Sequence, residues 1–332
     1  MRRRHSSCGS ARFYRLILVA AVAFAWSTAR AQSSNSTDGA LFLLLPVGAR
    51  AVGMGQATVA ERPGSEAVWW NPSAISRQDK SEIAIHHSQT ITATGDAITF
   101  LYPTAGIGAL AVSINVLNFG DQQITDPGGV PVGVVLPRNI LLAGTYGAAI
   151  GKRFNAGVTY KRLQYRVDCS GQCTNVSTFT ATSSAVDFGF QYDVDTESPL
   201  TLGAAVRNIG TRLQVNDREQ ADPLPTRVEV GAEYKLPWIA ALIADTEVRI
   251  AADVVADKNA DHPAGRVGAD VTYEKNIHLR AGYVAHDANG ARTALGFGIG
   301  AGHLVFDIAR TFGGLSADAG QTPTYLSLRY LF

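Results

Sequence analysis

From about residue 81 to its end, the chain alternates apolar and polar positions with a period of two. Between Thr226 and Leu236, one face carries Val228, Val230, Ala232, Tyr234 and Leu236, and the other Arg227, Glu229, Gly231, Glu233 and Lys235. Val248, Ile250, Ala252 and Val254 alternate with Glu247, Arg249, Ala251 and Asp253, and Val267, Ala269, Val271 and Tyr273 with Gly268, Asp270, Thr272 and Glu274. Successive side chains of a strand point to opposite faces, so each run predicts a strand with one apolar and one polar side. There are 14 such runs: 81–88, 94–102, 107–117, 138–149, 152–166, 181–194, 199–207, 226–236, 246–256, 265–274, 277–285, 292–300, 303–311 and 324–332. Most are close to the roughly 9–11 residues that a tilted strand needs to cross a bilayer. The even count is what single-chain bacterial barrels have.

The connections alternate too. Those after even-numbered strands are mostly tight (Pro103 to Gly106, Ile150-Gly151, Thr196 to Pro199, Lys275-Asn276, Ala301-Gly302), whereas 118–137, 167–180, 208–225, 257–264 and 312–323 are longer and polar. Short turns at one end and long loops at the other make a membrane barrel topology. The brief 89–93 loop and the apolar 237–245 segment fit this scheme poorly.

Alternation alone does not say which face looks outward. A soluble sandwich would turn the apolar side in. Three features point it toward lipid. The polar face is rich in Gly and charge, which suits a wet lumen. Tyr102, Tyr146, Tyr160, Tyr192, Tyr234, Tyr273 and Tyr283 recur near segment ends, as aromatic girdles do. The last strand sets Thr324, Leu326, Leu328, Tyr330 and the terminal Phe332 on one face, with Tyr325, Ser327, Arg329 and Leu331 on the other. An amphipathic strand that ends on an aromatic residue resembles the signal read by the outer-membrane barrel-assembly machinery. The expected fold is all-β, a 14-stranded antiparallel transmembrane β-barrel.

The beginning of the chain carries an export address. Arg2, Arg3, Arg4, Arg12 and Arg15 precede an apolar run from Leu16 to Trp26, and Ala29-Arg30-Ala31 has the small-x-small cleavage pattern. At 11 residues the run is short of the roughly 20 that a membrane helix needs. Residues 1–31 are therefore expected to be a cleaved signal peptide. Its removal takes six of the 29 Lys+Arg and none of the 28 Asp+Glu, leaving 23 against 28 and a net charge of −5. No basic excess remains for nucleic acid. Cys8 goes with the leader, and the remaining Cys169 and Cys173 are expected to form a disulfide that pinches an outer loop. No other apolar run is long enough for a membrane helix.

Residues 39–80 do not follow the strand pattern. Gly48, Ala49, Arg50, Ala51, Gly53, Met54 and Gly55 lie in a run of small residues, and Asn71-Pro72 is a turn signal after Trp69-Trp70. A compact segment ahead of a wide barrel is expected to be a lumenal plug, because 14 strands leave a lumen that their own side chains need not fill. The domain expectation is signal peptide 1–31, N-terminal extension and hatch 32–80, and barrel 81–332.

The runs "GARAVGMGQATVA" and "AVWWNPSAIS" resemble the N-terminal signature of the PorV/PorQ proteins, within the wider superfamily of FadL-like long-chain fatty-acid transporters. "AVDFGFQYDV", "LTLGAAVRNIG", "LPTRVEVGAEY", "IAADVV", "HLRAGYV" and "YLSLRYLF" extend the resemblance over nearly all the mature chain. It implies a 14-stranded barrel with an N-terminal hatch. Gln56 stands where the family usually has a further glycine. FadL-like members pass hydrophobic small molecules through the barrel wall, whereas PorV-type members serve type IX secretion and carry cargo proteins toward the cell surface. The family supplies no catalytic residues. The resemblance implies a secretion-linked component of the cell outer membrane, in contact with lipid and with secretion proteins or cargo. A passive transporter of compounds such as long-chain fatty acids is the alternative.

Sites for other chemistry are weak. The histidines are scattered, no His-Glu-x-x-His occurs, and His86 and His87 fall on opposite faces of a strand. Asp193 to Glu197 lacks the glycine and distal Glu of a calcium loop. The every-second spacing of Gly296, Gly298, Gly300 and Gly302 puts them on one strand face, where they leave room for a plug or ligand. Neither a catalytic group, a metal nor a cofactor is expected. Asp187, Glu229, Glu233, Lys235, Arg249, Asp253, Asp270, Glu274, Arg280, Asp307 and Arg329 are expected to line the interior and to pair with one another and with Arg50.

Overall fold

Fifteen strands, all paired antiparallel, account for most of the structure, a computed structural model that describes residues 39–61, 64–104, 106–173, 178–195, 199–214, 221–258, 262–285, 290–314 and 322–332. The expected signal peptide at 1–31 lies outside the described residues. The first strands are β1 (Glu82–Gln89), β2 (Thr94–Thr104), β3 (Gly108–Asn118), β4 (Gln122–Thr125) and β5 (Pro131–Ile150). Next come β6 (Phe154–Gly171), β7 (Phe179–Asp193), β8 (Leu200–Gly210), β9 (Arg227–Lys235) and β10 (Thr246–Asp257). The chain ends with β11 (Ala264–Tyr273), β12 (Ile277–Ala285), β13 (Arg292–Ala301), β14 (Leu304–Gly313) and β15 (Thr324–Leu331). β1 pairs with β15 and β3 with β5, so the sheet closes into a barrel of 14 strands with β4 as an addition.

All 14 expected strands are present. The difference lies in 118–137, read from the sequence as a loop. Here β4 pairs with the first residues of β5 and prolongs the β3–β5 hairpin beyond the barrel. The Asp126 carboxylate closes its turn, accepting from the backbone N–H of Gly128 and Val130 at 2.9 Å each. Cys169 and Cys173 are disulfide-bonded at this same end, with Cα atoms 6.4 Å apart.

The barrel has two distinct ends. At the terminal end β1 begins and β15 stops, joined by reciprocal Ser81 and Phe332 backbone hydrogen bonds of 3.0 and 2.9 Å. Among the described residues the connections at this end are short turns apart from residues 236–245, which contain a short helix, Pro237–Leu242. The longer loops lie at the opposite end.

Side-chain direction follows the alternation. Ile98, Val112, Leu142, Val230, Ile250, Val267, Leu279, Leu295 and Leu328 are exposed on the outside, while Thr99, Ser113, Asp187, Glu229, Asp253, Asp270, Arg280 and Asp307 are buried inside. Exposed apolar side chains all round a closed sheet, with both edges of each of the 14 barrel strands paired, satisfy both demands of a bilayer: paired backbone polar groups and an apolar surface. Tyr102, Tyr192, Tyr234, Tyr273, Tyr330 and Phe332 sit outward near the terminal end as an aromatic girdle. Leu326, Leu328, Tyr330 and Phe332 thus lie on the outward face of the strand that closes the barrel.

Candidate functional site

Residues 39–61 and 64–77 lie in the lumen. Gly39 donates to the Pro223 carbonyl at the loop end, and Ser81 joins β15 at the terminal end. Between them lie a 3-10 turn (Leu41–Leu44), a one-turn helix (Ala49–Gly53) and two further 3-10 segments (Gly64–Trp69 and Pro72–Arg77). Ala51, Val52, Met54, Ala57, Val59, Ala67, Val68 and Ile75 have essentially no exposed surface. Each would be apolar surface in water without the barrel, so plug and wall bury one another.

Glycines of the wall make the fit. Gly147, Gly157 and Gly189 pair across β5, β6 and β7, and the Pro72–Ile75 turn lies directly on them. A Cβ on Gly157 would fall 2.5 Å from both Pro72 O and Ser73 N, and one on Gly189 would be 2.7 Å from Pro72 Cδ. Across the lumen, Gly268 and Gly282 pair between β11 and β12, and Met54-Gly55 rests on them. A Cβ on Gly53 would fall 3.0 Å from the Gly296 α-carbon, so Gly296 does leave room for the plug. Gly298 makes space instead for Asp307 and Arg280, and Gly302 is a turn residue with φ +60°.

Polar wall side chains hold the plug by its backbone. Asp253 accepts from Thr58 N (2.7 Å) and Val59 N (3.0 Å), and Ser327 from Ala49 N (2.8 Å). Gln191 donates to the carbonyls of Val59 (3.1 Å) and Glu61 (2.8 Å). Arg207 donates to Trp69 O at 2.7 Å and lies over the Trp70 ring at 5.2 Å, a cation–π arrangement. Asn71 organises the plug itself: its Nδ2 donates to Val59 O at 2.5 Å, and its Oδ1 accepts from Ser73 N at 3.1 Å. Pro72 then starts the 3-10 segment at a position that has no N–H to satisfy.

The interior charges form two groups. Lys161 pairs with Asp187 at 2.6 Å, while Arg207 and Arg266 share Glu229. Arg280 bridges Asp270 (2.7 Å) and Asp307 (2.6 Å), and Arg329 also reaches Asp307 (3.1 Å). Mutual pairing is as expected for these, but Lys235 and Glu274 are exposed at the terminal rim. Arg50 also departs from expectation. Its ion pair is with Glu61 of the plug, at 3.7 Å, because the chain folds back and brings both groups together. Burial raises the Glu61 carboxyl to about 8 despite the opposing pull of Arg50. It likewise raises Glu66 to about 7, opposed first by Arg329.

His86 is buried and hydrogen-bonded to Ser327 at 2.8 Å, whereas His87 points outward to Asp96. Among the described residues no group of three His, Cys, Asp or Glu could hold a metal ion. A cavity opens between plug and wall, lined by Phe42, Leu43, Leu45, Trp69, Trp70 and Leu141 with Lys161 and Arg207. Its volume is about 20 Å³, room for about one water molecule, and a smaller one of about 10 Å³ lies between Val47, Gly48, His86 and Ala97.

Sequence reasoning missed a bulge in the wall beside the larger cavity. The β7–β8 register shifts at Asp187, opposite Asn208, which has φ 61°. Asp187 Oδ1 accepts from Asn208 N at 2.8 Å, and Lys161 donates to the Asn208 side chain at 2.9 Å. Asn tolerates this left-handed backbone better than most residues, but "RNIG" has no distinctive spacing to reveal it.

A closed 14-stranded barrel with an apolar exterior and a plugged, charge-lined lumen is the architecture of a membrane-spanning β-barrel. Residues 28–259 match the family described as Type IX secretion system protein PorV, and the chain belongs to it. No curated protein matches the chain. In fold it is similar to the Pseudomonas putida toluene transporter TodX (TM-score 0.60, 10% identity, 86% of this chain and 98% of that one). It is also similar to the CymD monoaromatic hydrocarbon channel (0.59, 12%, 87% and 98%) and a Pseudomonas aeruginosa FadL homologue (0.54, 12%, 86% and 98%).

Proposed function

We propose that the chain is a type IX secretion component of the outer membrane: a permanently plugged barrel whose loop end engages a protein partner, secreted cargo or another part of the machinery. Family membership supports the partner class. The observation that carries the choice over conduction is the filled lumen, in which the wall grips plug backbone and the cavities beside the plug are about 20 and 10 Å³. The β4–β5 extension and the long β6 and β7 add sheet at the loop end, where a protein would dock. In this reading residues 1–31 are the cleaved export signal and 32–80 the hatch unit, with Gly48 to Gly55 and Asn71-Pro72 its contacts to the wall. Leu326, Leu328, Tyr330 and Phe332 form the segment offered to the barrel-assembly machinery, and the terminal end faces the periplasm. Capture from intact membranes tests the proposal, and recovery of no secretion protein or cargo counts against it.

A second reading is FadL-like passage of hydrophobic compounds. It is favoured by the apolar lining of Phe42, Leu43, Leu45, Trp69, Trp70 and Leu141 beside the Asp187–Asn208 bulge. Deletion of residues 39–80 with an uptake assay tests it: unchanged uptake would exclude gating by the hatch.

A further inference from the structure

The helix Pro237–Leu242 has no role in the barrel wall or the plug. Pro237-Trp238-Ile239-Ala240-Ala241-Leu242-Ile243-Ala244 is eight residues without a charged side chain, at the barrel end opposite the long loops. None of the helical residues is buried. Trp238 is 55% exposed, Leu242 73% and Ile243 56%, whereas Trp69 and Trp70 are 6% and 3% exposed. A six-residue helix is far below the length that holds together alone in water, and an exposed apolar patch of this kind marks a contact surface.

We propose that this segment is a membrane-interface anchor, seated in the terminal-side leaflet with Trp238 at headgroup depth and Leu242 and Ile243 against the acyl chains. The proposal rests on the barrel spanning a bilayer. The segment is continuous with the outward apolar belt. β9 delivers it directly after outward-facing Tyr234 and Leu236, β10 resumes with outward-facing Val248 and Ile250, and the Leu236 N–H bonds to Val248 O at 2.9 Å. Tyr273 of the neighbouring β11 stands at the same level of the girdle. Exposed Lys235 and Asp245 bracket the run and place its two ends in water. Lipid fits the segment better than a protein does. A protein-docking patch carries a polar rim that fixes orientation, whereas residues 237–244 carry no charge and only the Trp238 indole N–H as a polar side-chain group. Interfacial tryptophan is a recurrent membrane anchor, apolar in body and wet at its N–H.

The test is depth-dependent quenching in phosphatidylcholine vesicles brominated at known acyl positions. The Trp238 signal is the wild-type emission minus that of Trp238→Phe. It is expected to be blue-shifted, shielded from acrylamide and quenched most by shallow bromines. A belt reporter, Leu295→Trp in the Trp238→Phe background, is expected to be quenched most by deep bromines. Quenching of the belt reporter without quenching of Trp238 would overturn the anchor and leave the barrel standing. Loss of both would overturn the membrane placement itself. Benzoylphenylalanine at position 238, photolysed in outer-membrane vesicles, is expected to give lipid adducts, and a discrete protein adduct would overturn the proposal in favour of a docking helix.

Discussion

The Pro72 carbonyl and Ser73 N–H lie against the α-carbon of Gly157, so close that a Cβ there would fall 2.5 Å from Pro72 O and Ser73 N. Backbone meets backbone at this point, and neither side has a flexible atom to withdraw. Gly157→Val is expected to push the hatch off the β5–β7 wall. Overpacking of this kind costs about 1–3 kcal/mol, and the readout is a lowered unfolding midpoint with new protease cleavage within 48–77. Gly144→Ala is the control: Gly144 points into open space, with no atom within 4 Å of a built Cβ. Its midpoint should not move.

Gln56 has φ 62°, a left-handed backbone in the tight turn after Gly55, whose φ is 61°. A side chain there costs roughly 1–2 kcal/mol that glycine does not incur. This is the position at which the sequence resemblance leads one to expect a further glycine. Gln56→Gly is expected to raise the unfolding midpoint. A lower midpoint would mean that the buried Gln56 side chain contributes more than the backbone strain removes.

Asp307 has no exposed side-chain surface and accepts from both Arg280 and Arg329. Asp307→Asn removes the hydrogen-bonded counter-charge of Arg329 and leaves Arg280 with Asp270 alone. Breaking a buried pair from one side costs about 3–5 kcal/mol. Urea unfolding in vesicles is expected to report a loss of that order, and a change below 1 kcal/mol would show the network to be well hydrated.

The hatch should be held more tightly in acid. Burial raises Glu61 from 4.5 to about 8 and Glu66 from 4.5 to about 7. A carboxyl with a raised pKa when docked binds its proton more tightly there. Docking strength is therefore complete below the ordinary value of about 4.5 and falls as pH rises through 7–8. Hydrogen exchange of residues 48–61, corrected for intrinsic rates, should show stronger protection at pH 5.5 than at about pH 8.5. Glu61→Gln should flatten most of that difference. Stronger protection at the higher pH would contradict the assignment.

Much of this architecture is legible in the sequence because a membrane barrel writes it there. Every residue of a spanning strand must face either lipid or lumen, so Val228-Glu229-Val230 or Leu279-Arg280-Ala281 shows the alternation openly. Where that constraint ends, so does the signal. Gln122–Thr125 projects past the barrel, is largely exposed on both faces and need not alternate. Residues 237–244 are uniformly apolar, and a run this short has no period that separates helix from strand. In the hatch, the small residues announced close packing, but their partners could not be read from one chain segment. Arg50 finds Glu61 only because the chain turns back on itself, and Asn71 meets Val59 for the same reason.

The central claim is that a plugged barrel of this family works by holding a protein at its loop end. It is tested most directly by placing a photo-crosslinker at Gln123 on β4, irradiating intact cells that are actively secreting, and identifying the adducts by mass spectrometry. The account predicts adducts to secreted cargo or to a secretion-system subunit, retained when residues 48–55 are locked to the wall by an engineered disulfide. Absence of any such adduct, together with uptake of a hydrophobic compound that the lock abolishes, would contradict it and make the chain a transporter.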